Sequence, residues 1–195
     1  MGVTVHGLPS DLVDGIGEAF RAAPHECADT VVIGALPSPV ADLHVLPRAA
    51  WDEAIGAARS AFFALQQAAR VLVEGGGEGC LLVVVPVHAL RTSRGCGTAA
   101  VVGSFLATAA QVAAVELGAK GIRVNVLAVG ALEGEPAPRT VDAVPLGRLT
   151  RPADVGAACA MLAGPGGQYV SGAVVPVDGG YSVTKAVGGS PFADA

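Results

Sequence analysis

Few side chains in this sequence stand where they could do chemistry together. His88 and Arg91 follow directly on the apolar run Cys80–Val87. The end of a buried strand is where open α/β sheets build their sites, and a histidine there can serve as a general base. Cys96 lies between Gly95 and Gly97 and is a candidate reactive thiol, yet no base stands near it in the sequence. Serine, histidine and aspartate are all present, but no Gly-x-Ser-x-Gly nucleophile elbow is. His6, His25 and His44 are scattered, as are Cys27, Cys80, Cys96 and Cys159, with no metal-ligand spacing. The two tyrosines, Tyr169 and Tyr181, sit late in the chain. The simpler reading of His88 and Arg91 is a loop histidine and a surface arginine.

A glycine-rich turn between a first strand and its helix would bring backbone N–H groups to a pyrophosphate. Gly7, Gly15 and Gly17 are present, and Asp14-Gly15-Ile16-Gly17 has part of such a pattern. The interval from Gly7 to Gly15 is too long, and Asp11 and Asp14 would repel a phosphate. Gly15 and Gly17 therefore read as helix glycines.

The elements that must position these residues follow from hydrophobic periodicity. Val3–Val5, Thr30–Leu36, Cys80–Val87, Ile122–Val129 and Ala173–Val177 read as strands, Ile122–Val129 being broken by one Arg and one Asn. Ser10 or Asp11 opens a helix running to Ala22, with Leu12, Ile16, Ala19 and Phe20 on one face. Trp51 to Val73 is a long helix in which Trp51, Ile55, Ala58, Phe62, Leu65, Ala69 and Leu72 form one stripe. Thr98 to Leu117 is a second, with Val101, Phe105, Thr108, Val112 and Val115 on one stripe and Val102, Leu106, Ala109 and Ala113 on the next. A helix apolar on two faces is packed on two sides. Pro152 and Asp154 open a further helix to about Ala163. Strands alternating with long helices give an α/β fold, a parallel sheet of about five strands with helices on both faces.

The 195 residues suffice for one domain, expected over residues 1–184 with a small polar tail at 185–195. Hydrophobic residues make up 52% and charged residues 15%, against about 25% charged in an average globular chain. The mean hydropathy of +0.56 implies that much surface is hidden in a partner. The net charge of -5 and the lack of any basic tract exclude a nucleic-acid partner. The cysteine pattern and the N-terminus, which lacks a basic region and a long apolar core, point to a cytoplasmic protein. Gly95–Val115 carries no charge and is long enough to span a bilayer. Its Gly, Ser, Thr and Gln residues favour a helix buried between subunits, so no membrane is expected.

The block from Gly121-Ile122-Arg123-Val124-Asn125 through PLGRLTRPADV to VSGAVVPVDGGYSV resembles the C-terminal half of a short-chain dehydrogenase/reductase, closest to the 3-oxoacyl-[acyl-carrier-protein] reductase branch. Val32-Ile33-Gly34-Ala35 stands where that family has Asn-Asn-Ala-Gly, and Trp51-Asp52 is similar to the opening of one of its helices. The resemblance implies a Rossmann-like sheet truncated by two strands near the N-terminal end. In the family a Tyr transfers the proton, a Lys one turn later lowers the Tyr pKa, a Ser orients substrate and an Asn holds a water. Counting back from GIRVN without gaps places Ala99 at the Tyr position, Gly103 at the Lys position, and Pro86 with Val87 in the Ser region. Counting from Trp51-Asp52 places Ala58 at the Asn position, and Val129-Gly130 replaces the family's Pro-Gly. No Tyr exists between Met1 and Gln168, so no shift of register restores one.

The expectation is therefore a chain with no catalytic residue, no cofactor and no metal of its own. The resemblance implies a partner: a full-length, active reductase holding NADP or NAD and acting on the ketone or alcohol of an acyl thioester. Contact is expected through the two long helices, at Trp51, Ile55, Phe62, Leu65, Val101, Phe105, Leu106 and Val112, with Ala131–Val144 or the tail shaping the partner's substrate entrance. Two alternatives remain: a self-associating scaffold that binds an apolar ligand in the emptied site, and an enzyme with new chemistry around His88, Cys96 or Arg91.

Overall fold

Each apolar run becomes a strand, and each periodic segment a helix. The computed structural model describes residues 3–23, 29–36, 41–134 and 141–184. The strands are β1 (Val3–His6), β2 (Thr30–Gly34), β3 (Gly79–Pro86), β4 (Ile122–Val129) and β5 (Val174–Val177). The helices are α1 (Ser10–Ala22), α2 (Arg48–Glu74), α3 (Gly97–Gly118) and α4 (Pro152–Ala163). The strands lie side by side in chain order, and every neighbouring pair is parallel. The architecture is thus a Rossmann-like α/β sheet flanked by helices. His25 and Cys27, Pro37-Ser38-Pro39, most of the loop after Gly134 and the tail at 185–195 lie outside the described residues.

Strand alternation divides the core in two. Ile33, Leu81, Val83, Val85, Val124, Val126 and Ala128 face α2 and α3. Val32, Cys80, Leu82, Val84, Leu127 and Val129 face α1 and α4. All eight residues of β3 are buried, and each buried Leu or Val contributes about 1.5–3 kcal/mol. Because every crossover steps to the adjacent strand in the same direction, its hand is set by the face its helix occupies. With α2 and α3 on one face and α1 and α4 on the other, two of these four crossovers must be left-handed, against a strong general preference for the right hand.

The helix faces differ from the expected stripes. In α2 the buried residues are Ala54, Ala58, Ala61, Leu65, Ala68 and Leu72, while Trp51 and Ile55 are exposed. Small alanines let the helix lie close to the sheet, with Leu65 and Leu72 inward, while Trp51, Ile55, Phe63 and Val71 turn outward. In α3 the stripe of Val102, Leu106 and Ala110 is buried, whereas Val101, Phe105, Val112 and Val115 are exposed. One face of α3 is therefore packed within the chain, not two. Leu65 and Leu106, expected at an interface, are 4% and 0% exposed and belong to the chain's own core. Phe62 is half-buried and packs on Phe105, joining the outward sides of the two helices, with ring centroids 5.9 Å apart. By length and apolarity α3 could cross a membrane; here its inner face covers β3 and β4.

The Arg and Asn of GIRVN are structural. Arg123 Nη1 donates to the carbonyls of Leu162 and Gly167, both at 2.7 Å, and of Val170 at 3.4 Å, and Nη2 donates to Ala163 O. It thereby satisfies the last-turn carbonyls of α4, where a cation is favoured. Asn125 is fully buried. Its Nδ2 donates to Val170 O at 2.8 Å, and its Oδ1 accepts from Ala173 N–H at 3.1 Å. Together they fasten β4 to the connection between α4 and β5. On the other flank α1 lies against α4 at backbone distance: a methyl group at Gly156 would come within 2.3 Å of Gly15 O. Gly15 is thus a packing glycine inside α1.

Candidate functional site

Crevices open at the carboxyl ends of neighbouring strands whose following helices leave to opposite faces. That happens here between β1 and β2, and again between β3 and β4.

The first crevice is crowded. The turn after β1 is Gly7-Leu8-Pro9, only three residues before α1 begins. It leans across the end of β2, so that a methyl group on Gly7 would stand 2.4 Å from Gly34 O. Leu8 sits on Gly34, where a methyl group would meet Leu8 Cδ2 at 2.3 Å. Asp11 occupies the first turn of α1, and both Asp11 and Asp14 are exposed there. A leucine side chain and an acidic helix start do not fit a pyrophosphate, which needs open N–H groups and positive potential.

The positions counted as catalytic carry no group that can move a proton. Ala99 and Gly103 lie one turn apart on the buried face of α3, and Ala58 is buried in α2. A methyl group on Gly103 would come within 2.9 Å of the Ala89 methyl carbon and 3.3 Å of Pro86 O. The small residues have let the helix close onto the segment after β3. The emptied site expected as an apolar pocket is filled on this side by the chain's own atoms.

The second crevice is polar. Four residues from two distant segments meet there, and the sequence had singled out only part of them. Asp178, 6% exposed, accepts from Gly180 N–H at 2.9 Å and Ser182 N–H at 2.7 Å. Those bonds hold the reversal after β5, at which Gly179 and Gly180 take φ of 60° and 91°, a region that favours glycine. The turn presents Tyr181, whose hydroxyl pairs with Ser93 Oγ at 2.9 Å. The Arg91 guanidinium lies over the Tyr181 ring at 5.1 Å from its centroid and donates through Nη1 to Tyr181 O and to Thr184 Oγ1. Arg91 is consequently half-buried and tied down, not the surface arginine its position suggests. The His88 ring stands perpendicular to Tyr181 at 6.4 Å, and its Nδ1 lies 3.2 Å from the Arg91 carbonyl oxygen. That oxygen can only accept, so Nδ1 carries the hydrogen. Burial pushes the His88 pKa down, and the bond to the Arg91 carbonyl offsets part of the effect. Cys96 is half-buried and burial raises its pKa, which disfavours the thiolate a nucleophile needs. Cys159 is pushed up to about 12 by burial and then by Cys80. Among the described residues no group of three His, Cys, Asp or Glu could hold a metal ion.

The PLGRLTRPADV segment closes the same end of the sheet. Arg148 grips Asp154 with both Nη atoms, and Asp154 also accepts from Arg151 N–H at 2.8 Å. The Arg148 bond holds the Asp154 carboxyl below its usual pKa. Arg151 Nε reaches Glu133 at 2.8 Å.

Residues 25–182 match the family model described as enoyl-(acyl carrier protein) reductase. The chain is 33% identical over 175 residues to the cis-4-hydroxycyclohexanecarboxylate dehydrogenase of Sinomonas cyclohexanicum, covering 83% of this chain and 68% of that protein. It is 31% identical over 132 residues to the chloroplastic NADPH-dependent aldehyde reductase-like protein of Arabidopsis thaliana, covering 63% of this chain and 48% of that one. Thus the match spans only about half the length of the second relative. A short-chain dehydrogenase from Bacillus anthracis superposes with a TM-score of 0.73 at 25% identity, over 80% of this chain and 66% of that one. The order of the motifs, the parallel sheet and these matches agree: the chain belongs to the short-chain dehydrogenase/reductase family of NAD(P)-dependent oxidoreductases.

Proposed function

We propose that this chain is a non-catalytic subunit of a heteromeric short-chain reductase, which stabilises or shapes a full-length active relative in the cytoplasm. The partner carries the NADP or NAD and the proton-transfer residues, and acts on a ketone or alcohol of an acyl thioester. The observation that carries this reading is the packing at Gly103. The positions where the family places its Tyr, Lys and Ser hold Ala99, Gly103 and Pro86, and Ala89 and Pro86 close around Gly103. The Leu8 side chain seated on Gly34 supports a cofactor-free chain. The outward faces of α2 and α3 support the partner. Trp51, Ile55, Phe63, Val101, Phe105, Val112 and Val115 are exposed, with Phe62 and Phe105 in contact between the helices. Such a contiguous apolar surface is normally covered in an assembly. The proposed contact runs through Trp51, Ile55, Phe62, Val101, Phe105 and Val112.

Co-expression with an intact reductase of the same family tests the reading. Copurification that is lost on Phe105→Asp or Val112→Asp is expected. A chain that is stable alone and never copurifies overturns it, and tight NADPH binding by the isolated chain overturns the cofactor-free part. The same exposed faces also suit a homodimer. A purified chain that is dimeric by itself, and ignores the reductase, selects that second reading.

A further inference from the structure

Arg91 is a half-buried cation with no carboxylate partner among the described residues, whose ion pairs involve Arg48, Arg94, Arg148 and Arg151. Among the described residues only its Nη1 is engaged, with Tyr181 O and Thr184 Oγ1. The Nε–H and Nη2–H groups, which form the side-on fork of a guanidinium, have no partner among the described residues. A partly desolvated cation with a free fork attracts an oxyanion.

The groups around it add to that demand. Ser93 and Tyr181 bring two hydroxyl hydrogens, and their mutual bond uses one. One O–H therefore remains to donate beside the guanidinium. His88 borders the set without adding a donor, since Nδ1 donates to the Arg91 carbonyl and Nε2 can only accept. The set is held in advance: Asp178 fixes the turn that carries Tyr181, and Arg91 bonds to that turn's backbone. All four side chains are half-buried, so solvent reaches each of them. The cluster sits at the carboxyl ends of β3 and β4, at the second of the two crevices.

We propose that Arg91, Ser93 and Tyr181, bordered by His88, form a binding site for a small carboxylate. One oxygen pair of the ligand lies on the Arg91 fork, and the free hydroxyl of the Ser93–Tyr181 pair donates to it. A planar carboxylate fits better than phosphate, because the donors are one planar fork and one hydroxyl, and the neighbouring imidazole adds no second cation. The site does not depend on the non-catalytic reading, since it needs neither a partner nor a cofactor.

The test follows the ring resonances of His88 by NMR in the full chain, titrated with sodium acetate at constant ionic strength, then with phosphate. Saturable shifts with acetate are expected. Arg91→Lys keeps the charge but loses the fork, and should weaken acetate binding about tenfold. Ser93→Ala leaves every Arg91 bond in place and should weaken it about threefold, with an unchanged melting temperature. Shifts that rise linearly without saturation, or that are the same in Ser93→Ala, overturn the site. Tighter binding of phosphate than of acetate overturns the carboxylate assignment.

Discussion

Asn125→Asp tests how β4 is joined to the α4–β5 connection. Asparagine and aspartate have nearly the same shape, so packing is preserved and only hydrogen-bond polarity changes. The Oδ1 that accepts from Ala173 N–H survives the substitution. The group that donates to Val170 O at 2.8 Å becomes a second carboxylate oxygen facing a carbonyl oxygen in a fully buried place. Ionised, it is repelled and desolvated; protonated, it can donate and restore the bond. The folded state therefore raises this carboxyl pKa above its unfolded value of about 3.9. A carboxyl raised on folding costs little below its unfolded pKa. The cost then grows by about 1.4 kcal/mol per pH unit until the folded pKa is reached. At pH 7 the ceiling is about 4 kcal/mol, a large part of the 5–15 kcal/mol of a typical domain. Urea unfolding followed by circular dichroism at pH 4.5 and pH 7, each referred to the wild type, measures the difference. A penalty of about 1 kcal/mol at pH 4.5 that rises to several at pH 7 is expected. A variant unfolded at pH 7 that refolds on acidification supports the same conclusion. A penalty equal at the two pH values refutes the reasoning, because it would mean that the donor at position 125 is not the feature that matters.

Arg123→Met keeps the apolar stem but releases four carbonyls; a loss of about 3 kcal/mol is expected in the same urea assay, with the α4 end the first to exchange amide hydrogens. Gly103→Ala and Gly56→Ala should have opposite signs. Both remove a helix glycine, worth about 1 kcal/mol, but only Gly103 has a methyl carbon waiting at 2.9 Å, which costs about 1–3 kcal/mol, whereas Gly56 faces open space. Thermal melts of the two variants decide it: Gly56→Ala should melt higher and Gly103→Ala lower. His88 holds a depressed pKa in the folded state, so the unfolded chain takes the proton first as pH falls. Its effect is absent above about pH 6.5 and destabilises progressively below it. His88→Gln should flatten the decline in stability between pH 7.5 and pH 5, and an unchanged decline would assign it to other groups.

Much of the fold was legible because its signals are local. The five strands are apolar runs bounded by turn residues, and Ile122–Val129 was placed to the residue. The helices Ser10–Ala22 and Pro152–Ala163 also begin and end where they were read, and the other elements shifted by one to three residues at an end. What was not legible depends on contacts between distant segments. In α2 a single stripe was read from Trp51 to Leu72, yet the sheet lies against Ala54, Ala58, Ala61, Leu65, Ala68 and Leu72, since close approach favours small residues. Leu8 looks like an ordinary turn residue until β1 and β2 are set side by side. Arg91 and Tyr181 are 90 residues apart, and nothing in either neighbourhood names the other. The Arg and Asn of GIRVN were readable as a family mark; their work on the carbonyls beyond α4 emerges only when the chain has folded back.

Strand order equal to chain order also has a kinetic consequence. A doubly wound sheet normally inserts its first strand into the middle, so early strands wait for late ones. Here β1 needs only β2, β2 then needs only β3, and the sheet can lengthen from one side as the polypeptide leaves the ribosome. Each pairing closes a loop of one helix and its two connections, so no strand waits for a partner more than one crossover away. The step that breaks this progression is the closing of α1 against α4. The Gly15–Gly156 contact joins the first helix to the last, and so it can form only when synthesis of the sheet is nearly complete.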